Sequence, residues 1–289
     1  MRILFLPIFL CFLLYSNAEP LPNRESYSAI GYHAKIGIPR ASKVLMTESM
    51  RIIGGKPVQT ITAHPHQAGI IALLTSGFTS ICGGSLISNK RILTAAHCWY
   101  DGQNRATQFT VVLGSTTIFN GGTRLVTKDV AVHPNWNTKD VTHDIAIAKI
   151  NTVSFNNNIQ QIPLPSVSEV NLDFAGLTGT VAGYGKTSDA QNSFPPTTSL
   201  QYIDLPIITN QVCQRSFQLN IHGSHLCTSG NGRVGTCDGD SGGPLTVIHN
   251  RRRIQVGIVS FGLGDSCQTG HPSVYTRVTA FLNWINANM

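Results

Sequence analysis

The stretch Cys237-Asp238-Gly239-Asp240-Ser241-Gly242-Gly243-Pro244 is the most informative part of this chain. Its glycines allow a sharp turn and a close approach of the backbone to a ligand, because they have no Cβ. Ser241 would present its hydroxyl from that turn, where backbone N–H groups can converge on one point, as a nucleophile with an oxyanion hole requires. The same stretch could instead be a tight turn held by a disulfide. The choice between the two depends on whether a base and an acid occur elsewhere.

A candidate base and a candidate acid both precede this stretch. His97 lies in Leu93-Thr94-Ala95-Ala96-His97-Cys98, and Asp144 opens the apolar alternation Asp144-Ile145-Ala146-Ile147-Ala148. A serine hydroxyl is a weak nucleophile, so an imidazole must take its proton and a buried carboxylate must orient the imidazole. A lone histidine in an apolar stretch is usually a core residue. The order His97, Asp144, Ser241, which differs from the order in subtilisins and α/β-hydrolases, favours a catalytic triad.

Further motifs complete a resemblance to a known family. In chain order they are Ile52-Ile53-Gly54-Gly55, Cys82-Gly83-Gly84-Ser85-Leu86, Ser260-Phe261-Gly262 and Pro272-Ser273-Val274-Tyr275-Thr276-Arg277. With the triad segments, they make residues 52–289 resemble a chymotrypsin-fold serine endopeptidase of the S1 family. Details such as Gln67-Ala68-Gly69 are similar to arthropod digestive chymotrypsins and brachyurin-type collagenolytic enzymes. The resemblance implies that the backbone N–H groups of Gly239 and Ser241 form the oxyanion hole.

The fold expected from this resemblance is all-β, with two six-stranded antiparallel barrels and a C-terminal α-helix. Short apolar segments separated by Gly, Pro and Asn independently favour a β-sandwich or a barrel. Strands are predicted at 69–74, 84–87, 109–113, 128–132, 145–150, 179–183, 244–248, 255–261 and 273–278. Residues 280–285 have helical apolar spacing. We expect barrel 1 at about 52–165, barrel 2 at about 166–279, the helix at about 280–289, and the active site in the cleft between the barrels.

The N-terminal region predicts a secreted zymogen. Residues 1–18 have the basic start, short apolar core and small-residue end of a signal peptide, and no later stretch is long enough to span a membrane. Residues 19–51 are polar, lack strong periodicity and are expected to form an activation propeptide. The resemblance implies cleavage after Arg51, which frees an ammonium group on Ile52 to pair with Asp240. We expect an extracellular enzyme, in the lumen of a digestive tract.

Cysteine content agrees with an oxidising compartment. The chain has seven cysteines, and loss of Cys11 with the signal peptide leaves an even number. Their pairing is not fixed by spacing alone. The family resemblance implies the pairs Cys82–Cys98, Cys213–Cys227 and Cys237–Cys267.

The expected specificity pocket is uncharged. Gly235 stands at the pocket floor, where trypsin-like relatives carry an aspartate, and the remaining expected pocket residues are Thr236, Ser260, Phe261, Gly262 and Ser273. Ser260 also resembles the family serine that supports the buried aspartate. Such a pocket suits Phe, Tyr, Leu or Met before the scissile bond. Asp238 would place an acid at the pocket mouth. Elastase-like or collagenolytic cleavage, trypsin-like cleavage and a catalytically silent binding protein remain as alternatives.

The charge pattern indicates few partners beyond those of a protease. The formal net charge is +7, but the basic cluster Arg251-Arg252-Arg253 lies between two predicted strands and favours a solvated hairpin loop over a docking patch for acidic substrates. We expect no nucleic acid, membrane, metal or cofactor, and a monomer. No cysteine or histidine pair has zinc-ligand spacing. The implied partners are peptide substrates, a trypsin-like activating protease and protein protease inhibitors.

Overall fold

Two antiparallel sheets dominate a computed structural model that describes residues 27–50, 61–185, 199–237, 239–263 and 268–289. The first sheet has the order β5-β4-β1-β2-β3-β7-β6. Its strands are β1 (Gln67–Leu74), β2 (Thr79–Ser88), β3 (Arg91–Thr94), β4 (Ala106–Leu113), β5 (Thr123–Thr127), β6 (Val130–Val132) and β7 (Ala146–Lys149). Over the described residues, β5 and β6 are its edges, so this half is an open, curved sheet of seven strands.

The second sheet closes on itself in the order β10-β13-β12-β11-β8-β9. Its strands are β8 (Thr178–Gly183), β9 (Gln201–Ile208), β10 (His225–Thr228), β11 (Pro244–His249), β12 (Arg252–Phe261) and β13 (Ser273–Arg277). The chain ends in a 3-10 turn and the helix Leu282–Ala287, whose Ile285 is fully buried. The predicted all-β fold with two antiparallel sheets and a terminal helix is confirmed. The second half is the six-stranded barrel, whereas the first half has one strand more and does not close.

Each sheet buries its own apolar face. Ile70, Leu86 and Phe109 lie in the core of the first sheet, and Leu226 and Leu245 lie in the core of the barrel, all without solvent exposure. Complete burial of one such side chain stabilises the fold by about 1.5–3 kcal/mol. Each half therefore has a packed interior of its own, which positions the ends of its described strands.

The segment before Arg51 has more structure than its sequence indicates. Residues His33–Gly37 form a π-helical turn and Ile38–Met50 an α-helix, although we expected this region to lack regular periodicity. Packing against the rest of the chain stabilises this helix, because Ala41 and Val44 are buried in a cluster with Ile81, Val112 and Ile118. Tertiary burial of an apolar face contributes more to a short helix than its local propensity does. No helix in the described parts of the chain is long and apolar enough to cross a membrane.

Disulfides fix both halves. The structure contains Cys82–Cys98 and Cys213–Cys227, the pairs implied by the resemblance. Cys237 is also in a disulfide, and its expected partner Cys267 lies outside the described residues.

His225 makes the stability of the fold depend on pH. Its Nε2 lies 3.0 Å from the carbonyl oxygen of Val141, and its Nδ1 accepts the backbone N–H of His222, so the imidazole is neutral with the proton on Nε2. Burial lowers its pKa to about 4, although the hydrogen bond to Val141 and the charge of Asp144 act in the opposite direction. The unfolded chain binds this proton more readily than the folded chain does. The contribution of neutral His225 to the free energy of unfolding is therefore fully present above the unfolded pKa and is lost as the pH falls toward 4.

We therefore expect protonation of His225 to lower the free energy of unfolding by about 2 kcal/mol between pH 7.5 and pH 5. Urea titrations at both pH values measure this loss. His225→Gln should make the pH dependence less steep, whereas His271→Gln, which removes an exposed histidine, should leave it as it is. Equal slopes for wild type and His225→Gln would contradict the assignment.

Candidate active site

His97 is held by the end of β3. After Thr94 the chain enters the 3-10 turn Ala96–Cys98, and Cys98 is bonded to Cys82 on β2. The Thr94 hydroxyl also donates a hydrogen bond of 2.8 Å to the carbonyl of Gly83 on β2. The turn is thus fixed on both sides, and the backbone position of His97 is determined by the first sheet.

Asp144 orients the imidazole of His97 through two contacts. One carboxylate oxygen accepts the backbone N–H of His97 at 2.8 Å, and the other accepts Nδ1–H at 2.7 Å. The second oxygen also accepts the hydroxyl of Ser260 at 2.6 Å, and the Thr276 hydroxyl donates to the Asp144 carbonyl at 2.7 Å. Both His97 and Asp144 are fully buried. Since Nδ1 carries the proton, Nε2 is the basic nitrogen, and it has no hydrogen-bond partner in the described structure.

Ser241 lies in a turn that packs against this pair. Gly239 and Gly242 have φ values of +102° and +81°, a conformation that side chains with a Cβ rarely adopt. The carbonyl of Ser241 accepts the backbone N–H of Gly83 at 2.7 Å and lies 3.7 Å from the Sγ of Cys98. The structure therefore brings the predicted serine turn to the predicted histidine and aspartate, with the serine supplied by the second half.

The carboxylate of Asp240 binds two backbone N–H groups near the Ser241 turn. One carboxylate oxygen accepts the backbone N–H of Gly185 and the other that of Cys237, both at 2.9 Å. Arg51 and Ile52, the other two residues of the expected activation site, lie outside the described residues. The orientation of Asp240 couples the Ser241 turn to the strand end that follows Gly183.

A cavity opens beside Ser241 where the sequence analysis expected a specificity pocket. Five of the expected pocket residues line it: Thr236, Ser260, Phe261, Gly262 and Ser273. Gly235 does not line it but packs behind it, since a Cβ there would lie 3.0 Å from the Ser273 hydroxyl oxygen. Asp238 lies outside the described residues. None of the residues described in the lining is acidic.

Other lining residues were not foreseen. They are Val259, Leu263, Thr269, His271 and Pro272 from the second half, and Ser28, Tyr32 and Ile36 from the segment before Arg51. The last three come from a stretch expected to be cleaved off. A signal was present in the sequence: the region holds Tyr27 and Tyr32 and also the apolar residues Ile30, Ile36, Ile38, Val44, Leu45 and Met46.

The donor atoms of Cys82, His97 and Cys98 also lie close together, within 4.8 Å of one another. Both sulfur atoms belong to a single disulfide and cannot act as thiolate ligands. The disulfide therefore holds the backbone beside His97 in place, and these three residues do not form a donor set for a metal.

A buried His–Asp pair beside a serine turn, at the junction of two antiparallel sheets, is the arrangement of a serine protease. Residues 52–285 match the family model described as Trypsin, and the chain belongs to this family of serine endopeptidases. It is 35% identical over 239 residues to a collagenase of Hypoderma lineatum, covering 82% of this chain and 87% of that protein. It is 37% identical to the brachyurin of Leptuca pugilator over 239 residues, covering 81% and 96% of the two chains.

A solved structure agrees with these sequence relatives. The structure of HL collagenase superposes with a TM-score of 0.72 and 35% sequence identity, covering 80% of this chain and 95% of that one. The similarity therefore extends over nearly the whole catalytic region.

Proposed function

We propose that the protein is a secreted zymogen whose active form cleaves peptide bonds after large apolar or aromatic residues. The observation that carries this proposal is the buried His97–Asp144 pair, whose basic Nε2 has no hydrogen-bond partner among the described residues. The pair lies next to the Ser241 turn and a cavity whose described lining residues include no acid. The relative named collagenase supports action on protein substrates, and a digestive role is part of the proposal.

In the proposed mechanism, the Ser241 hydroxyl attacks the substrate carbonyl while Nε2 of His97 takes its proton. Asp144 keeps the other imidazole proton on Nδ1 and stabilises the imidazolium that forms. The backbone N–H groups of Gly239 and Ser241 stabilise the oxyanion, where preorganised donors need no rearrangement during the reaction. The imidazolium then protonates the leaving amine, and water hydrolyses the acyl-enzyme by the same steps.

Specificity would follow from the neutral lining of the cavity. A Lys or Arg side chain would lose its hydration there without gaining a carboxylate partner, which is unfavourable by several kcal/mol. An aromatic or long aliphatic side chain loses nothing by the same transfer. Broad collagenolytic cleavage is the second candidate, and it is favoured by the 35% identity to a protein named collagenase.

Activation would require another enzyme. The bond after Arg51 follows a basic residue, which the neutral cavity does not accommodate, so a trypsin-like protease would cut it. The new ammonium group of Ile52 would then pair with Asp240, whose carboxylate already lies at the backbone of Gly185. This pairing would fix the turn that carries Gly239 and Ser241.

The experiment that tests this function uses the full chain cut at Arg51 by a trypsin-like protease. We expect an organophosphate to label Ser241, and peptide substrates with Phe or Leu before the scissile bond to be cleaved much faster than those with Arg. Absence of label would indicate a silent homologue. A preference for Arg, or self-activation of purified zymogen at Arg51, would contradict the assigned pocket.

Gly262 offers a direct test of the cavity. A Cβ at this position would meet no atom of the described residues within 4 Å, so a side chain here would extend from the cavity wall toward the substrate. We expect Gly262→Val to lower kcat/KM for a Phe substrate about 100-fold and to change it much less for an Ala substrate. Gly223→Val is the matched control, since it also adds a side chain into open space but on a loop away from the cavity. Equal losses for Phe and Ala substrates would indicate distortion and not pocket filling.

A further inference from the structure

The segment before Arg51 lies over the active site. Tyr27, Tyr32 and His33 have no solvent exposure, and Ser28, Tyr32 and Ile36 line the cavity beside Ser241. We propose that residues 27–50 form an inhibitory segment that blocks the cleft and stays bound after the chain has been cut at Arg51. Activity would then require release of the segment as a second step. This inference rests on the proposed function, because it concerns access to the same site.

Tyr27 holds one end of the inhibitory segment on the barrel. Its ring packs against those of Phe217 and Phe261, with centroids 6.1 and 5.6 Å away. Its hydroxyl oxygen accepts the backbone N–H groups of Gln218 and Leu219, both at 3.1 Å. The binding site is therefore complementary to the whole phenol group, to its ring and to its oxygen.

The backbone at this end pairs with the wall of the cavity. Tyr27 forms an antiparallel bridge with Leu263 just beyond β12, and the N–H of Gly262 donates to the hydroxyl of Ser28 at 3.0 Å. An extended peptide that adds to a strand edge makes contacts of this kind. The segment thus occupies the edge that a substrate chain would need.

Tyr32 covers the triad itself. Its ring lies edge-on to the imidazole of His97, with centroids 4.8 Å apart, and its hydroxyl donates to the carbonyl of Ile81 at 2.7 Å. His97 is completely buried as a result of this and neighbouring contacts. A substrate carbonyl and the hydrolytic water both need access to His97 and Ser241, so the ring must leave before catalysis.

The segment covers the triad in a form that the triad does not cleave. Its backbone is helical there: the N–H of Lys35 donates to Gly31, and the N–H of Ile38 donates to the carbonyl of His33. A scissile peptide must be extended so that its carbonyl can reach a nucleophile and an oxyanion hole. Carbonyls that are engaged within a helical turn are unavailable for this purpose, so the segment would act as an inhibitor and not as a substrate.

The helix Ile38–Met50 anchors the other end on both halves, at the loop between β4 and β5 and at the residue that follows Gly183 of β8. Arg40 donates from Nη2 to the carbonyl of Tyr184 at 2.8 Å, and the carboxylate of Glu48 accepts the N–H groups of Ile118 and Phe119 at 2.9 and 2.8 Å. The buried apolar contacts of this helix involve Ala41, Val44, Ile81, Val112, Ile118 and Tyr184.

All these contacts are non-covalent, and none of them involves residues 51–52. Cutting at Arg51 would therefore remove only the tether, which supplies an effective concentration of about 1 mM. The contacts at Tyr27, Tyr32 and Glu48 would remain. Residual inhibition would then depend on the concentration of the cut protein.

The test compares cleavage with activity. An immobilised trypsin-like protease cuts the full chain at Arg51 and is then removed. Mass spectrometry measures the extent of cleavage, and a chromogenic substrate measures activity. We expect activity to lag behind cleavage at micromolar protein and to rise on dilution. Removal of the fragment by gel filtration should raise activity at least about 10-fold, and a synthetic peptide of residues 27–50 should then inhibit competitively.

Peptide variants test the individual contacts without affecting the fold of the enzyme. Tyr27→Ala and Tyr32→Ala should each raise the inhibition constant about 30-fold or more, as expected for a buried aromatic anchor. Met46→Ala is the matched control, because Met46 is half-exposed on the same helix, and its inhibition constant should change less than about 3-fold.

Two failures can be distinguished. Activity that rises in step with cleavage at every protein concentration, with no inhibition by the peptide at about 1 mM, would overturn the inhibitory role and leave the proposed function intact. Rapid cutting of the peptide within residues 27–38 would likewise show a substrate in place of an inhibitor. Activity that never appears, even after removal of the fragment, would overturn the proposed function instead.

Discussion

Replacing Asp144 by asparagine is expected to lower kcat about 10⁴-fold with little change in KM. The carboxylate accepts both Nδ1–H and the backbone N–H of His97, so it fixes the tautomer that leaves Nε2 basic. An amide of the same shape would present an N–H to Nδ1 and would favour the opposite tautomer. Stopped-flow or steady-state assays of the activated, fragment-free enzyme measure the loss.

Two further variants show whether the loss of activity is specific to the Asp144 carboxylate. Asp129→Asn serves as the control, since Asp129 is exposed in an ion pair with Lys149 at 3.7 Å and should leave kcat unchanged. Ser260→Ala, which removes one donor to the Asp144 carboxylate, should give a smaller loss of about 10-fold. An activity of Asp144→Asn close to wild type would exclude Asp144 from the triad.

Gly239→Ala is expected to lower kcat by about 10²- to 10³-fold through the oxyanion hole. Gly239 has a φ of +102°, and an added Cβ would lie 3.2 Å from the Cα of Gly185, which stays in the enzyme after the N-terminal segment has left. The turn must therefore shift, and its N–H would move away from the developing oxyanion. The effect should appear in kcat more than in KM, because the interaction forms in the transition state.

The matched control for that variant is Gly77→Ala. Gly77 has a φ of +81° in the turn between β1 and β2, and nothing lies within 4 Å of an added Cβ. The backbone strain of about 1 kcal/mol should lower stability in both variants. If kcat of Gly239→Ala resembled that of Gly77→Ala, the Gly239 N–H would not be an oxyanion donor.

The triad and the sheets were accessible from sequence because their signals are local. The runs around His97, Asp144 and Ser241 combine small, apolar and reactive residues in a known order, and β1 is apolar after its first residue. Four strands were not predicted: β3, β5, β9 and β10. Each of them departs from a simple apolar pattern. β9, for example, contains Asp204 and Pro206, and a proline cannot donate to a sheet ladder.

The inhibitory segment could not be predicted because its order comes from long-range contacts. Glu48 finds its partners at residues 118–120, and Tyr27 finds its own at residues 217–219. Such pairs have no periodicity within the segment itself, whose helix is only 13 residues long. Sequence patterns report what neighbouring residues prefer, while this helix depends on a surface that forms elsewhere in the chain.

The hydrogen bonds at Asp144 also bear on the synthesis of the protein. The hydroxyl of Ser260 reaches the Asp144 carboxylate over 116 residues of sequence, and that of Thr276 reaches the Asp144 backbone carbonyl over 132. Contacts that close such long loops form late in folding, because the chain entropy must be lost before they contribute. A growing chain contains His97 and Asp144 well before Ser241 and β13 have been made. The newly made polypeptide is therefore unable to hydrolyse its neighbours until almost all of it has been translated, whatever the state of its N-terminal segment.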